Sequence, residues 1–153
     1  MNMKVHDREG QMQSGVFEKI ERAKNLHQGG DVAAALAVLS EVLGADRANF
    51  DALNISGVIE FQAGNLQKAA DFFGRAIAVR PDAAKVLSNL AAVQGQMSYY
   101  PEALENLDRA EKVSPELADI YINRGVILQK MGRHEDAQLN FSKAVTLRES
   151  APS

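Results

Sequence analysis

The sequence predicts an all-α solenoid of four helix–turn–helix units. Three observations predict it: the same residue types return four times at a spacing of 34 residues, apolar residues recur at steps of three and four inside each copy, and small residues hold fixed places in both halves of the copy. The stretch GNLQKAADFFGRAIAVRP, residues 64–81, carries all three. Shifted by whole units, Gly64 falls on Gly30, Ser98 and Gly132, and Ala69 on Ala35, Ala103 and Ala137. Phe73 falls on Leu39, Leu107 and Phe141, and Ala76 on Val42, Ala110 and Ala144. Upstream, Gly57 falls on Ala23, Ala91 and Gly125. No insertion interrupts the register, so the units are 16–49, 50–83, 84–117 and 118–151, with a polar tail at 1–15 and a short end at 152–153.

Each unit opens with a helix over most of its first fourteen residues; in the second unit its apolar set is Leu53 and Ile59, with the small Gly57 between them. A Gly or Ser then breaks the run. Asp31 and Asn65 follow that break and are good N-caps, since a short side-chain oxygen there can accept from the first free backbone N–H groups. The second helix of the second unit gathers Leu66, Ala69, Phe73, Ala76 and Ile77 on one face. In the third unit Pro101 falls at the start of that helix, where its missing N–H costs little. Pro81 and Pro115 end the second helices of the two middle units. Short side chains let the two helices approach, so Gly57 against Ala69 is the expected contact, with Phe73 filling the space beside it. Such a pair cannot bury its apolar face alone, and stacking on its neighbours supplies the stability.

The remaining composition excludes more than it points to. With no cysteine there is no disulfide, thiolate nucleophile or cysteine zinc site. A net charge of −3 and the absence of a basic block speak against nucleic acid. The N-terminal MNMKVHDREGQMQSG has no apolar core of the signal-peptide kind, and no apolar run is long enough for membrane insertion, so the expectation is a cytoplasmic protein. His6, His27 and His134 share no spacing that suits a metal, and Glu135–Asp136 early in a second helix favours the positive helix end over acid–base work. Gly29–Gly30 lacks the Lys–Ser/Thr of a phosphate loop. The expectation is no enzyme activity and no cofactor.

The pattern resembles the tetratricopeptide repeat: the pairs Leu53…Gly57, Leu87…Ala91 and Tyr121…Gly125, the Gly/Ser turn and the Ala–Phe/Leu–Ala series cover four units in sequence. Glu60 and Gln94 depart from it where an aromatic is usual. Lys19, Arg22 and Arg47 depart in the first unit, as in an N-terminal cap, and Gln138 in the last. Leu139, Val145 and Leu147 leave apolar surface at the C-terminal face, open to a second copy in a homo-oligomer. The resemblance implies a short right-handed superhelix whose first helices line a concave groove. By family position that groove would present Asn54, Val58, Phe61 and Gln62 from the second unit, Lys85, Asn89 and Gln96 from the third, and Asn123, Val126 and Lys130 from the fourth. Glu21, Lys24 and His27 take such places in the first unit, and Asp51, Ser88, Asp119 and Gln129 complete the set.

Asn89 and Asn123 share one slot, an arrangement similar to the asparagine ladder of repeat arrays attached to O-linked N-acetylglucosamine transferases. An amide can donate to and accept from an extended peptide, or it can bond within the array, and the sequence leaves both open. A clamp for chaperone C-terminal carboxylates is rejected: Lys85 fills one slot, while Ile20, Lys24, Ile55 and Asn89 fail the others. The resulting expectation is a protein-interaction scaffold whose groove takes an extended peptide or a helix of a partner protein. Its alternatives are a substrate-targeting module of a larger enzyme such as a glycosyltransferase, and a self-assembling scaffold.

Overall fold

The computed structural model describes residues 3–152, with side chains from Arg8 onward. It consists of eight helices: α1 (Met3–Gln28), α2 (Val32–Ala45), α3 (Phe50–Gln62), α4 (Leu66–Val79), α5 (Ala84–Gln96), α6 (Tyr100–Val113), α7 (Ala118–Lys130) and α8 (His134–Glu149). No strand occurs among the described residues. The polar leading segment continues α1 toward the N-terminus, where Gln11, Gln13 and Ser14 are exposed. The side chain of His6 lies outside the described residues.

Helices pair within each unit, and each pair packs on the next. The odd-numbered helices also touch one another (α1 on α3, α3 on α5, α5 on α7), whereas successive even-numbered helices do not. A layer of closely spaced helices backed by a layer of separated ones must curve, with the close layer inside. The odd helices therefore line the concave side.

The turn inside each unit follows one hydrogen-bond scheme. Asn65 N–H bonds the Glu60 carbonyl at 2.9 Å and Gly64 N–H the Phe61 carbonyl at 3.0 Å. The same pair of bonds recurs through Asp31 and Gly30, Tyr99 and Ser98, and Arg133 and Gly132. This closure needs a left-handed residue. Gly30, Gly64 and Gly132 supply it at φ 88°, 81° and 79°, and Ser98 does so at φ 65° against the preference of an L side chain. Asp31 caps α2 by accepting from Ala34 N–H at 3.1 Å. Asn65 sits at the N-cap of α4 but makes no cap bond; its amide turns back to the Glu60 carboxylate at 2.7 Å. Asn49 caps α3 through Ala52 N–H at 3.0 Å.

Two apolar clusters run along the array, and Ile77 packs against both. Within the second unit the tight contact on Gly57 is Phe73 itself, not Ala69: a Cβ added at Gly57 would lie 2.6 Å from Phe73 Cε1. Gly125 and Phe141 repeat the contact at 2.6 Å in the fourth unit. Tyr100 packs into the second cluster, while Tyr99 is exposed at the N-cap of α6. At the N-terminal end Lys19 and Arg22 face water, Lys19 paired with Glu41 at 3.5 Å. At the other end Leu139 is 70% exposed and Val145 55%.

Candidate functional site

Most of the residues expected on the concave side fall into three groups. Asn54 and Lys85 come together, from α3 and α5, in the lining of a cavity of about 480 Å³. Phe50, Arg80, Val86, Glu116 and Leu117 share that lining. The Arg80 guanidinium lies over the Phe50 ring, 4.2 Å from its centroid, and forms no ion pair among the described residues. A stacked guanidinium retains its in-plane donors for a further partner. Lys85 and Glu116 also lack ion-pair partners among the described residues. The Asn54 Oδ1 is buried and has no hydrogen-bond partner. A buried acceptor without a donor costs about 1–3 kcal/mol relative to a satisfied one.

A second group is already engaged inside the array. Asn123 donates to the Ser88 carbonyl at 3.1 Å and to Ser88 Oγ at 2.9 Å. Gln62 Oε1 lies 2.7 Å from His27 Nε2. Lys24 bonds Glu21 at 2.9 Å, a contact that raises its pKa. Val58 and Phe61, half-buried, pack against the first apolar cluster. Of the two readings the sequence left open for the asparagines, Asn123 takes the internal one. Asn123 reaches back 35 residues to Ser88; the corresponding reach from Asn89 ends at Asn54, and no bond forms there. The shared slot is therefore not a uniform ladder.

Asn89, Gln96, Val126 and Lys130 form the third group. Their side chains make no hydrogen bond or ion pair among the described residues, and they do not line the cavity with Asn54 and Lys85. Sequence reasoning from family positions missed Phe50, the first residue of α3, and Arg80 and Glu116, which lie between helices. Their signals were an aromatic at the first position of the unit and an arginine directly before Pro81.

Around α7, charges are tied into the array, Asp119 with Arg148 at 3.6 Å among them. Arg124 bonds Asp108 at 3.0 Å and Glu111 at 2.7 Å, and Tyr121 donates to the Pro115 carbonyl at 2.6 Å. Burial works to raise the Glu111 pKa, but the Arg124 guanidinium, with help from Tyr121 and Lys143, outweighs it and holds the carboxyl below its ordinary value. No group of three metal-ligating side chains converges among the described residues, and no described helix is long and apolar enough to cross a membrane.

Comparison with known proteins adds relatives of the same kind. Models described as tetratricopeptide repeat or TPR repeat match residues 20–84, 99–132 and 118–150. The human "Tetratricopeptide repeat protein 36" is 32% identical over 100 residues, which are 63% of this chain and 53% of the relative. The chain thus spans about half the length of that relative. The human "DnaJ homolog subfamily C member 7" is 29% identical over 148 residues, 84% of this chain and 29% of the relative. Among solved structures, MamA from Desulfovibrio magneticus RS-1 superposes with a TM-score of 0.80 at 20% identity, covering 90% of this chain and 78% of MamA. A repeat protein from Parabacteroides merdae gives 0.74 at 21% identity, covering 90% and 55%. At these identities the structures speak for the fold alone.

Proposed function

Because the chain belongs to the tetratricopeptide repeat family, we propose that it is a non-enzymatic adaptor that holds an extended segment of a partner protein along the concave side, anchored at the cavity between α3 and α5. The observation that carries this reading is the cavity itself, where Asn54 lines the wall together with Arg80, Lys85 and Glu116. A peptide backbone offers an N–H to the Glu116 carboxylate and a carbonyl to Arg80 and Lys85. Lining of both charge signs suits an amide chain better than a lone anion, because Glu116 repels the anion that Arg80 and Lys85 attract. The chemistry of nucleophile, metal and phosphate loop has no counterpart in this lining.

The test is partner recovery with an Asn54→Leu/Lys85→Ala variant. Leucine removes the orphaned acceptor and keeps the volume. Partners co-purified with the unaltered chain should be lost by the variant while its helicity and unfolding midpoint hold. Undiminished recovery of every partner would remove the cavity from the interface.

A second reading concerns self-association. Val145 occupies the place that Ile77 fills at the junction of two units, yet is 55% exposed. Stacking by continuation would set α8 against α1 of another copy. The α1 positions corresponding to buried Ala52, Leu53 and Ser56 are Glu18, Lys19 and Arg22, all exposed and charged. Two copies are better matched α8 to α8, an isologous and closed arrangement. Light scattering after chromatography should then show a dimer that Val145→Glu returns to monomer. A monomer at high concentration excludes the reading.

A further inference from the structure

The outer face carries a cleft separate from the groove. α2 and α4 do not touch, and the gap between them is a cleft of about 500 Å³. Leu36, Leu43 and Phe72 form its walls, Ser56 and Glu60 on α3 its floor, and Arg47 and Arg75 its rim. Glu60 is 6% exposed and Ser56 1%. One Glu60 oxygen accepts from Asn65 at 2.7 Å. Its other oxygen and the Ser56 hydroxyl have no partner among the described residues, and no cation pairs with Glu60. A carboxylate this deeply buried is ordinarily matched by a charge.

The chain contains its own illustration of what fits. Two units further on, Leu104, Asp108, Arg124, Leu128 and Asn140 line the matching cleft between α6 and α8. They stand 68 residues beyond Leu36, Ser40, Ser56, Glu60 and Phe72. There the position of Ser56 is Arg124, whose side chain is 13% exposed and whose guanidinium is held by Asp108 and Glu111. In the intervening unit the position is Leu90, which also fills space. Of the three clefts between even-numbered helices, only the one between α2 and α4 has a small hydroxyl there, beside a carboxylate. From this juxtaposition we propose that the cleft binds an arginine side chain of a partner polypeptide, with its guanidinium on Glu60 and Ser56 and its stem along Leu36, Leu43 and Phe72.

The rim arginines do not reverse the sign of the site. Arg75 donates to the Arg47 carbonyl at 3.1 Å and lies 5.7 Å from the Phe72 centroid, and both rim arginines are exposed. Their repulsion is screened by water and salt, whereas attraction to the buried carboxylate is not.

The experiment is an amide chemical-shift titration of the full chain with acetyl-arginine-amide, its neutral isostere acetyl-citrulline-amide, and acetyl-aspartate-amide. Shifts should gather at Ser40, Ser56, Glu60 and Phe72 with the arginine probe, and binding of citrulline should be at least about tenfold weaker, the factor expected for losing one charge-assisted bond pair. An alanine peptide with one central arginine should bind more tightly than the capped amino acid. Glu60→Gln keeps an oxygen for Asn65 and should abolish the response without moving the unfolding midpoint. Ser56→Leu, which fills the cleft as Leu90 does, should abolish it while leaving the carboxylate in place. Equal response to citrulline, a response to the aspartate probe, no advantage of the peptide, no response at all, or a response that survives both variants would each overturn the proposal. None of these outcomes bears on Asn54 and Lys85.

Discussion

Replacing Gly57 by alanine tests how closely the helices of a unit depend on an absent side chain. The new Cβ would lie 2.6, 2.7 and 3.0 Å from Phe73 Cε1, Cδ1 and Cζ. Ordinary carbon contacts begin near 3.5 Å, so the ring must retreat by roughly 1 Å. Phe73 is completely buried and cannot swing to solvent. Overpacking of this kind costs about 1–3 kcal/mol, and alanine returns up to about 1 kcal/mol of helix propensity. The net loss should be about 1–2 kcal/mol, a fall of about 2–8 °C in unfolding midpoint for a chain of this size.

The fourth unit supplies the control. Gly125 meets Phe141 at the same 2.6 Å, but Phe141 is half-buried at the end of the array and can yield outward. Gly125→Ala should therefore cost less than Gly57→Ala. Urea unfolding followed by circular dichroism measures both, and Gly57→Ala/Phe73→Leu should recover most of the loss, because the two sites are coupled. A neutral Gly57→Ala, or a Gly125→Ala at least as damaging, would refute the packing argument.

Further outcomes follow from single positions. Ser98→Gly removes the one non-glycine left-handed turn among the described residues and should stabilise by about 1 kcal/mol in the same urea assay. Nothing in the structure requires Gly74, where an added Cβ meets no atom within 4 Å, so Gly74→Ala should also stabilise, by about 0.5–1 kcal/mol. Asn123→Ala, which breaks the bonds to Ser88, should cost about 1 kcal/mol, and Asn89→Ala within about 0.5 kcal/mol of nothing. Glu111 has a folded pKa below its ordinary 4.5, so its contribution is complete above that value and lost as pH falls through the lower folded pKa. Stability curves of the unaltered chain and Glu111→Gln should then differ at pH 7 and converge in strong acid; a constant gap would refute the ion-pair account.

The fold was legible because its cause is periodic. Gly64, Phe73 and Ala76 return with each unit since every unit meets the same steric demands, and repetition makes those demands visible in one chain. Of the positions that the sequence assigned to the groove, Asn54 and Lys85 meet in one cavity. Arg80 and Glu116 were not legible, because they lie between helices, and family position describes helices within a unit; Phe50, at the first position of its unit, falls outside the positions assigned to the groove.

By itself, then, the sequence determined the repeat architecture, the turns and the helix faces, all of which follow from local sterics and a fixed spacing. Tertiary structure alone decided which polar side chains are spent and which are left over. Asn123 and Asn89 occupy one register position, yet one finds Ser88 and the other finds no donor or acceptor among the described residues. Likewise Ser56, Leu90 and Arg124 occupy one register position, and only the packing of α2 against α3 and α4 shows that the first leaves a cleft with a buried carboxylate in it. Hydrogen bonds and voids depend on distances of a few tenths of an ångström between units, which residue spacing does not encode.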